Sequence, residues 1–389
     1  MQEDPILSKY IKNNLDCWKN KKLNENKLVK IIHKYKLSII KLQIKNGNVK
    51  ILNLFNANKQ KSYVKKSMAF LKDIAKLYPL LNIELYLYVK DTLYNEIINI
   101  YNINGKKENP YNLNDFVWGV SQSNPNYIRI VDSNKIEEYN NSFPVFCFES
   151  HSDMNGILFP AFGGDNNHIT KSVNIDNIDW NEKDIDIPIF RGINICCDVS
   201  NLDKIKLINL SYVNPDKTDF KFSASKIHPI WDKHIVSRSL LQFCQNTNII
   251  DKNLNIDDVR NYFSKDNFVS FNYLFKHKFI VTVASAKNRK WYLSNSCVLE
   301  FLFKNKDFFH EDIFEDIEDI VYFNKNNLFE RLNKLKEDNY KLSKKLIKNR
   351  KQKFNNYLHY PNLVKWYGLF LMNYQKLLNH GKSYHVESK

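Results

Sequence analysis

The sequence predicts an α/β protein built in two halves, and three observations carry that reading. In each half, amphipathic helical stretches alternate with short apolar runs of strand length, the grammar of β-α-β units. One such run, Pro188-Ile189-Phe190, ends in Arg191-Gly192 and opens into a polar turn. Another, Lys278 to Val283, ends in Ala284-Ser285-Ala286 followed by Lys287-Asn288-Arg289. Strands that stop on small residues, with cations just beyond, suit the carboxyl edge of an open sheet, where backbone N–H groups hold phosphate.

In chain order, residues 1–35 read as charged helical segments. Ile39 to Leu54 alternates as a hairpin turning at Asn46-Gly47-Asn48. Lys65 to Leu77 carries Met68, Leu71, Ile74, Ala75 and Leu77 at helical spacing, and Pro79 closes it. Ile83 to Val89 is a strand, and so is Pro144 to Phe148, which runs through the turn ESHSDMNG to Ile157–Pro160. The polar stretch 163–185 is the candidate crossing between halves. Beyond it, Ile187 to Phe190 is a strand, Asp203 to Leu210 a helix and Lys217 to Phe222 a strand. Phe271 to Phe275 leads into the buried-type strand that ends at Val283; a short helix and the strand Cys297 to Phe303 follow. Asn327 to Leu358 is predicted as one long charged helix, and after Pro361 the apolar run Leu363 to Leu378 is the last helix. A chain of 389 residues outgrows a single compact core. The division expected is a first domain at 1–180, a second at 181–360, and a closing helix at 361–389.

Composition bounds the function. Hydrophobic residues at 43% exclude global disorder. The formal net charge of +16 suits an anionic ligand, a nucleic acid or an acidic surface. Heavy use of Asn, Ile and Lys points to an A/T-rich genome, microbial or viral. The six cysteines lack zinc-knuckle spacing, and adjacent Cys196-Cys197 makes a poor disulfide framework, so reduced thiols are expected. The opening residues show no basic start followed by an apolar run, which predicts no signal peptide and a cytoplasmic address. No stretch approaches the roughly 18 apolar residues of a membrane span. His277 and His310 have no partners at ligand spacing, so no metal is expected. Neither a P-loop nor GxGxxG nor GxSxG occurs, and no nucleic-acid module is recognisable.

Two constellations could do chemistry. Arg191, Lys204, Lys287 and Arg289 could gather at the carboxyl edge of one parallel sheet, with Ser285, Ala286 and Asn288 giving close backbone approach, an arrangement that suits a diphosphate. In the turn Glu149-Ser150-His151-Ser152-Asp153, either Asp153 or His151 could deprotonate an attacking hydroxyl.

Taken together, the segments MAFLKDIAKLYPLLNIELYLYVKD (68–91), PVFCFES (144–150), ILFPAF (157–162), PIFRG (188–192), FNYLFKHKFIVTV (271–283) and NSCVLEF (295–301) resemble, in order and spacing, glycosyltransferase family 90, over about residues 40–378. That family includes the Rumi-type and KDEL-motif protein O-glucosyltransferases and capsule-associated xylosyltransferases. The resemblance implies two Rossmann-like domains facing a cleft, the GT-B arrangement, with the last helix crossing back to the first domain. It implies an inverting, metal-independent transfer of glucose, xylose or a similar sugar from a UDP-sugar donor to a hydroxyl of a protein or glycan, with no further cofactor. It places the nucleotide diphosphate between Gly192, Ile193 and Asn194 and the 284–289 turn with Arg289. Departures are specific. The family's base Asp is Gly156 here, its Arg beyond Arg-Gly is at best Lys204, and its pair after the buried strand is Ala284-Ser285. Asp153, His151 or a carboxylate such as Asp91 would then have to act as the base. The alternatives are a nucleotide-sugar or glycan binder that has lost the base, and a basic nucleic-acid-binding protein.

Overall fold

A computed structural model describes residues 4–57, 61–89, 98–102, 117–120, 127–151, 153–160, 176–192, 202–222, 238–246, 248, 250–283, 288–301 and 306–383. The amino-terminal half opens with α1 (Pro5–Lys19) and α2 (Glu25–Tyr35). Asp4 caps α1 by accepting from the N–H groups of Ile6 and Leu7, and Asn24 caps α2 by accepting from Lys27 N–H. The hairpin follows as β1 (Ile39–Lys45) and β2 (Asn48–Phe55). Asn46 at φ 50° and Gly47 at φ 71° form its two-residue turn, a left-handed pair that glycine and asparagine tolerate best. Then come α3 (Lys61–Leu77), β3 (Ile83–Tyr88), β4 (Ile98–Asn102), β5 (Val117–Val120), β6 (Tyr127–Val131), α4 (Ser133–Asn140), β7 (Val145–Cys147), β8 (Glu149–His151) and β9 (Ile157–Leu158).

The first sheet has the order β2-β1-β3-β7-β9. β3, β7 and β9 are mutually parallel, whereas β1 is antiparallel to both β2 and β3. The sheet is therefore mixed: the parallel strands β3, β7 and β9 are extended at one side by the hairpin, whose two-residue turn can only return the chain antiparallel. β4, β6 and β5 form a separate antiparallel sheet, between β3 and α4 in the chain, where no strand is expected from the sequence.

The carboxyl half holds β10 (Ile189–Gly192), α5 (Leu202–Tyr212), β11 (Asp219–Phe222), α6 (Arg238–Asn246), α7 (Ile256–Asn261), α8 (Phe271–Leu274), β12 (Phe279–Val283), β13 (Cys297–Phe301), β14 (Lys306–Phe308), β15 (Val321–Phe323), α9 (Leu328–Lys353) and α10 (Tyr360–Ser383). Its sheet is parallel throughout, in the order β11-β10-β12-β13-β15. Numbered within the half, that is 2-1-3-4-5, a doubly wound order whose strand sequence reverses between β10 and β12.

The long helix expected over Asn327–Leu358 is interrupted. Within α9, Glu337 is extended and Asp338, Asn339 and Tyr340 are left-handed, at φ 47°, 53° and 62°. The break lets the Tyr340 ring turn onto Trp180 and Phe279 while its hydroxyl donates to Asp186 (2.9 Å). A π-helical turn, Phe354–Leu358, then joins α9 to α10. Of the polar stretch 163–185, residues 163–175 lie outside the described residues. Beyond them Asp176 and Lys183 pair at 3.0 Å with fully buried side chains, so that end is part of the interior rather than a surface loop.

α10 lies against α1 and α3. Its apolar face (Leu363, Trp366, Tyr367, Phe370, Leu371, Tyr374) shares one buried cluster with Tyr10, Phe70, Phe146 and Phe159 of the amino-terminal half, and that cluster continues to Ile189, Ile280 and Val298 on the second sheet. Gly368 is required there, because a Cβ would lie 2.1 Å from the Tyr78 ring. A second cluster fills the opposite face of the parallel sheet, where Phe279, Val281, Leu299 and Val321 meet Leu328, Leu332 and Leu346 of α9.

Candidate functional site

β10 and β12 are neighbours with Ile189 opposite Ile280, so Gly192 and Val283, each three residues further on, end level at the carboxyl edge. Open α/β sheets take ligands at such an edge, where strand order reverses. From these two strand ends the chain enters the segments singled out in the sequence. Ile193, Asn194, Ser285, Ala286 and Lys287 lie outside the described residues; Lys204 is in α5, and Asn288 and Arg289 begin the 3-10 turn Asn288–Leu293. Gly192 has a local reason to be glycine: the Phe190 ring folds back to within 2.4 Å of where a Cβ would stand.

Arg191 is engaged within the protein. Its Nη2 pairs with Asp219 Oδ2 (2.6 Å), Nη1 donates to the carbonyls of Asp219 (2.7 Å) and Phe190 (2.9 Å), and Nε donates to Asn267 O (3.1 Å). The guanidinium thus ties β10 to β11 and to the turn at Asn267. Burial pushes the Asp219 carboxyl up, but the hydrogen bond and charge of Arg191, with Lys221, outweigh it and hold the group below the usual carboxylate range. Sequence alone could not foretell this use, because Asp219 is 28 residues from Arg191 and meets it only through parallel pairing.

The 3-10 turn that carries Arg289 is anchored from below. Trp291 and Tyr292 are buried, and Tyr292 O accepts from Arg350 Nε at 3.0 Å. Arg350, with no solvent exposure, also donates through Nη2 to Ser294 O (2.6 Å) and Ser296 O (2.9 Å). Desolvation lowers its pKa to about 10, so the group remains a cation at neutral pH. Asp176 completes the clamp by accepting from Ser294 Oγ (2.7 Å) and Asn295 N–H (2.8 Å).

The amino-terminal half reaches the same neighbourhood through β8. This strand pairs antiparallel with β14, with His151 opposite Lys306, Ser150 opposite Asp307 and Glu149 opposite Phe308. β14 follows β13 after residues 302–305, so the turn bearing His151 and Asp153 is joined by main-chain pairing to the segment leaving the second sheet. Asp153 is exposed, and its carbonyl accepts from Asn140 Nδ2 (2.6 Å). Asn155 N–H donates to Asn140 Oδ1 (2.7 Å) and Asn155 O accepts from the Trp18 indole (3.0 Å), which fixes the turn against α4 and α1. Gly156, where the resembled family places its base, is walled in: a Cβ would lie 2.7 Å from Ser150 Oγ and 2.8 Å from Cys147 Sγ. A carboxylate cannot stand there without displacing both. Asp91 lies outside the described residues.

Just inside the carboxyl edge, Thr282, Glu300 and Tyr322 form a row in register across β12, β13 and β15. Glu300 is fully buried. Its Oε2 accepts from Tyr292 OH (3.0 Å) and Thr282 Oγ1 (3.2 Å), and its Oε1 lies 2.6 Å from His310 Nε2. His310 has no partner at ligand spacing in the sequence; the fold brings Glu300 to it, because the return from β13 through β14 carries residue 310 back over that carboxylate.

No protein-family model matches the chain, and no curated protein is significantly similar to it in sequence. Among solved structures it is similar to the C-terminal domain of a glycosyl transferase group 1 family protein (LpcC) from Francisella tularensis, at 18% identity, over 46% of this chain and 90% of that one. The TM-score is 0.25, too low for the likeness to bear on the fold or the reaction.

Proposed function

We propose that the chain binds a UDP-sugar at the carboxyl edge of its parallel sheet and transfers the sugar, glucose, xylose or one similar, to a hydroxyl of a protein or glycan, with inversion. The observation that supports this most is the point of reversal between β10 and β12: the two strands end level there, and the segments that leave them hold the small residues and cations a diphosphate requires. In this reading 1–180 and 181–360 are the acceptor and donor sides. Backbone N–H groups at Gly192, Ile193, Asn194, Ser285, Ala286 and Asn288, with the Lys287 and Arg289 cations and Lys204, take the diphosphate, and Arg191 acts as the brace that presents Gly192. Positive charge aimed at the departing UDP stabilises the negative charge that develops as the glycosidic bond to it breaks, without need of a metal ion at that place. Asp153 or His151 accepts the proton of the acceptor hydroxyl; what supports this is that β8, which ends at His151, pairs with β14, the next strand after β13 in the chain.

Calorimetric titration with UDP, joined to an assay of UDP release from UDP-glucose and UDP-xylose, tests this. Saturable UDP binding is expected, weakened at least tenfold (about 1.4 kcal/mol) in Arg289→Ala, with UDP release slowed in Asp153→Asn. A parent protein that shows no saturable UDP binding overturns the proposal. The closed surroundings of Gly156 favour one second reading, a nucleotide-sugar binder that has lost its base. Tight UDP binding without release of UDP from either donor, whatever the acceptor, selects that reading.

A further inference from the structure

We infer that Glu300, His310 and Glu311 form a binding site for a divalent transition-metal ion that fastens the Phe309–Asp312 turn to β13. The donor atoms of the three side chains, one from each, lie within 4.8 Å of one another, and Glu300 and His310 are buried. Metal–ligand bonds of about 2.0–2.2 Å set donors roughly 3–4 Å apart around one ion, so a small rotation of the half-buried Glu311 closes the set. Two carboxylates and an imidazole suit zinc, manganese or ferrous iron better than magnesium or calcium.

Two further features point to a ligand. Glu300 is already oriented: Thr282 and Tyr292 both donate to Oε2, leaving Oε1 turned towards His310, and such outer-shell hydrogen bonds fix a ligating carboxylate. Tyr322, beside Glu300 in register, has a completely buried hydroxyl with no hydrogen-bond partner. A buried hydroxyl left unpaired is destabilising, and the ion or an oxygen bound to it would give this one a partner. The fastened turn also carries Asp312, which accepts from Asn13 (2.5 Å) and Asn14 (3.2 Å) of α1, so the ion would stiffen a seam between the two halves. This inference does not depend on the sugar-transfer reading.

The test uses the full chain, stripped by chelation, dialysed, and titrated separately with Zn2+ and Mn2+, with bound metal measured by mass spectrometry and thermal unfolding followed in parallel. One equivalent of one of these ions, raising the unfolding temperature, is expected. Glu311→Gln should lower affinity at least tenfold while the unloaded protein melts as the parent does, and His310→Ala should abolish loading. If His310→Ala fails to fold, Glu311→Gln decides alone. Absence of stoichiometric loading in the folded parent, or loading indifferent to Glu311→Gln, overturns the inference and leaves Glu300–His310 as a plain buried pair. UDP binding is scored separately, so failure of one proposal is distinct from failure of the other.

Discussion

Arg191 and Asp219 show how a side chain's use is set by what the fold brings to it. An arginine at the end of a strand invites a phosphate, yet four hydrogen bonds commit this one to holding two strands and a turn together. The pairing also sets a pH dependence. The folded pKa of Asp219 lies below its unfolded value of about 3.9, so its contribution is fully present above that pH and is lost as pH falls through the folded pKa. Asp219→Asn should therefore cost about 1–3 kcal/mol at neutral pH, since it removes a charged partner from a buried guanidinium. The gap between variant and parent should narrow below about pH 4, as urea unfolding at a series of pH values would measure. A gap that stays constant to pH 2 would refute the assignment.

Among elements, the legible ones carried their own local signal. Asn46-Gly47 between alternating apolar residues specifies the hairpin, and the stripe from Leu363 to Leu378 specifies α10. The break in α9 was illegible because Glu337-Asp338-Asn339-Tyr340 contains neither glycine nor proline, and its cause, the docking of Tyr340 on Trp180, is tertiary. Three successive left-handed residues other than glycine are costly, roughly 1–2 kcal/mol each and somewhat less for Asp and Asn. Asp338 is exposed, so Asp338→Gly should relieve that strain and stabilise the protein by about 1 kcal/mol, seen as a raised urea midpoint at unchanged slope. Were the segment a continuous helix, the same change would instead cost roughly 0.3 kcal/mol, because Gly is a somewhat poorer helix former than Asp. The β8–β14 pair was equally hidden: three-residue polar strands such as Glu-Ser-His and Lys-Asp-Phe have no period to read. The candidate site was thus half visible. Its strand ends could be found from small residues and cations, while the Glu300–His310 row depends on register between strands and on a return of the chain that no local pattern encodes.

In the whole molecule, the closing helix is as much a part of the amino-terminal half as any element before it. Tyr360 donates to Asp73 (2.7 Å), Tyr78 donates to Lys365 O (2.8 Å), and Asn82 N–H donates to Gln375 (2.7 Å), so α10 is fastened along its length beside α3. A fragment of residues 1–180 should accordingly fail to fold alone, and a synthetic peptide spanning 360–383 should restore a cooperative unfolding transition when added to it. A cooperative transition in the bare fragment would show that the half is self-sufficient.

The antiparallel stitch between Glu149–His151 and Lys306–Phe308 bears on how far the two halves can part. Enzymes assembled from two lobes commonly admit their ligands by swinging the lobes apart on a flexible connection. Here a backbone ladder crosses from one lobe to the other, and a wide swing would have to unzip it. Movement of one half against the other is accordingly limited to what these six paired residues can follow without parting.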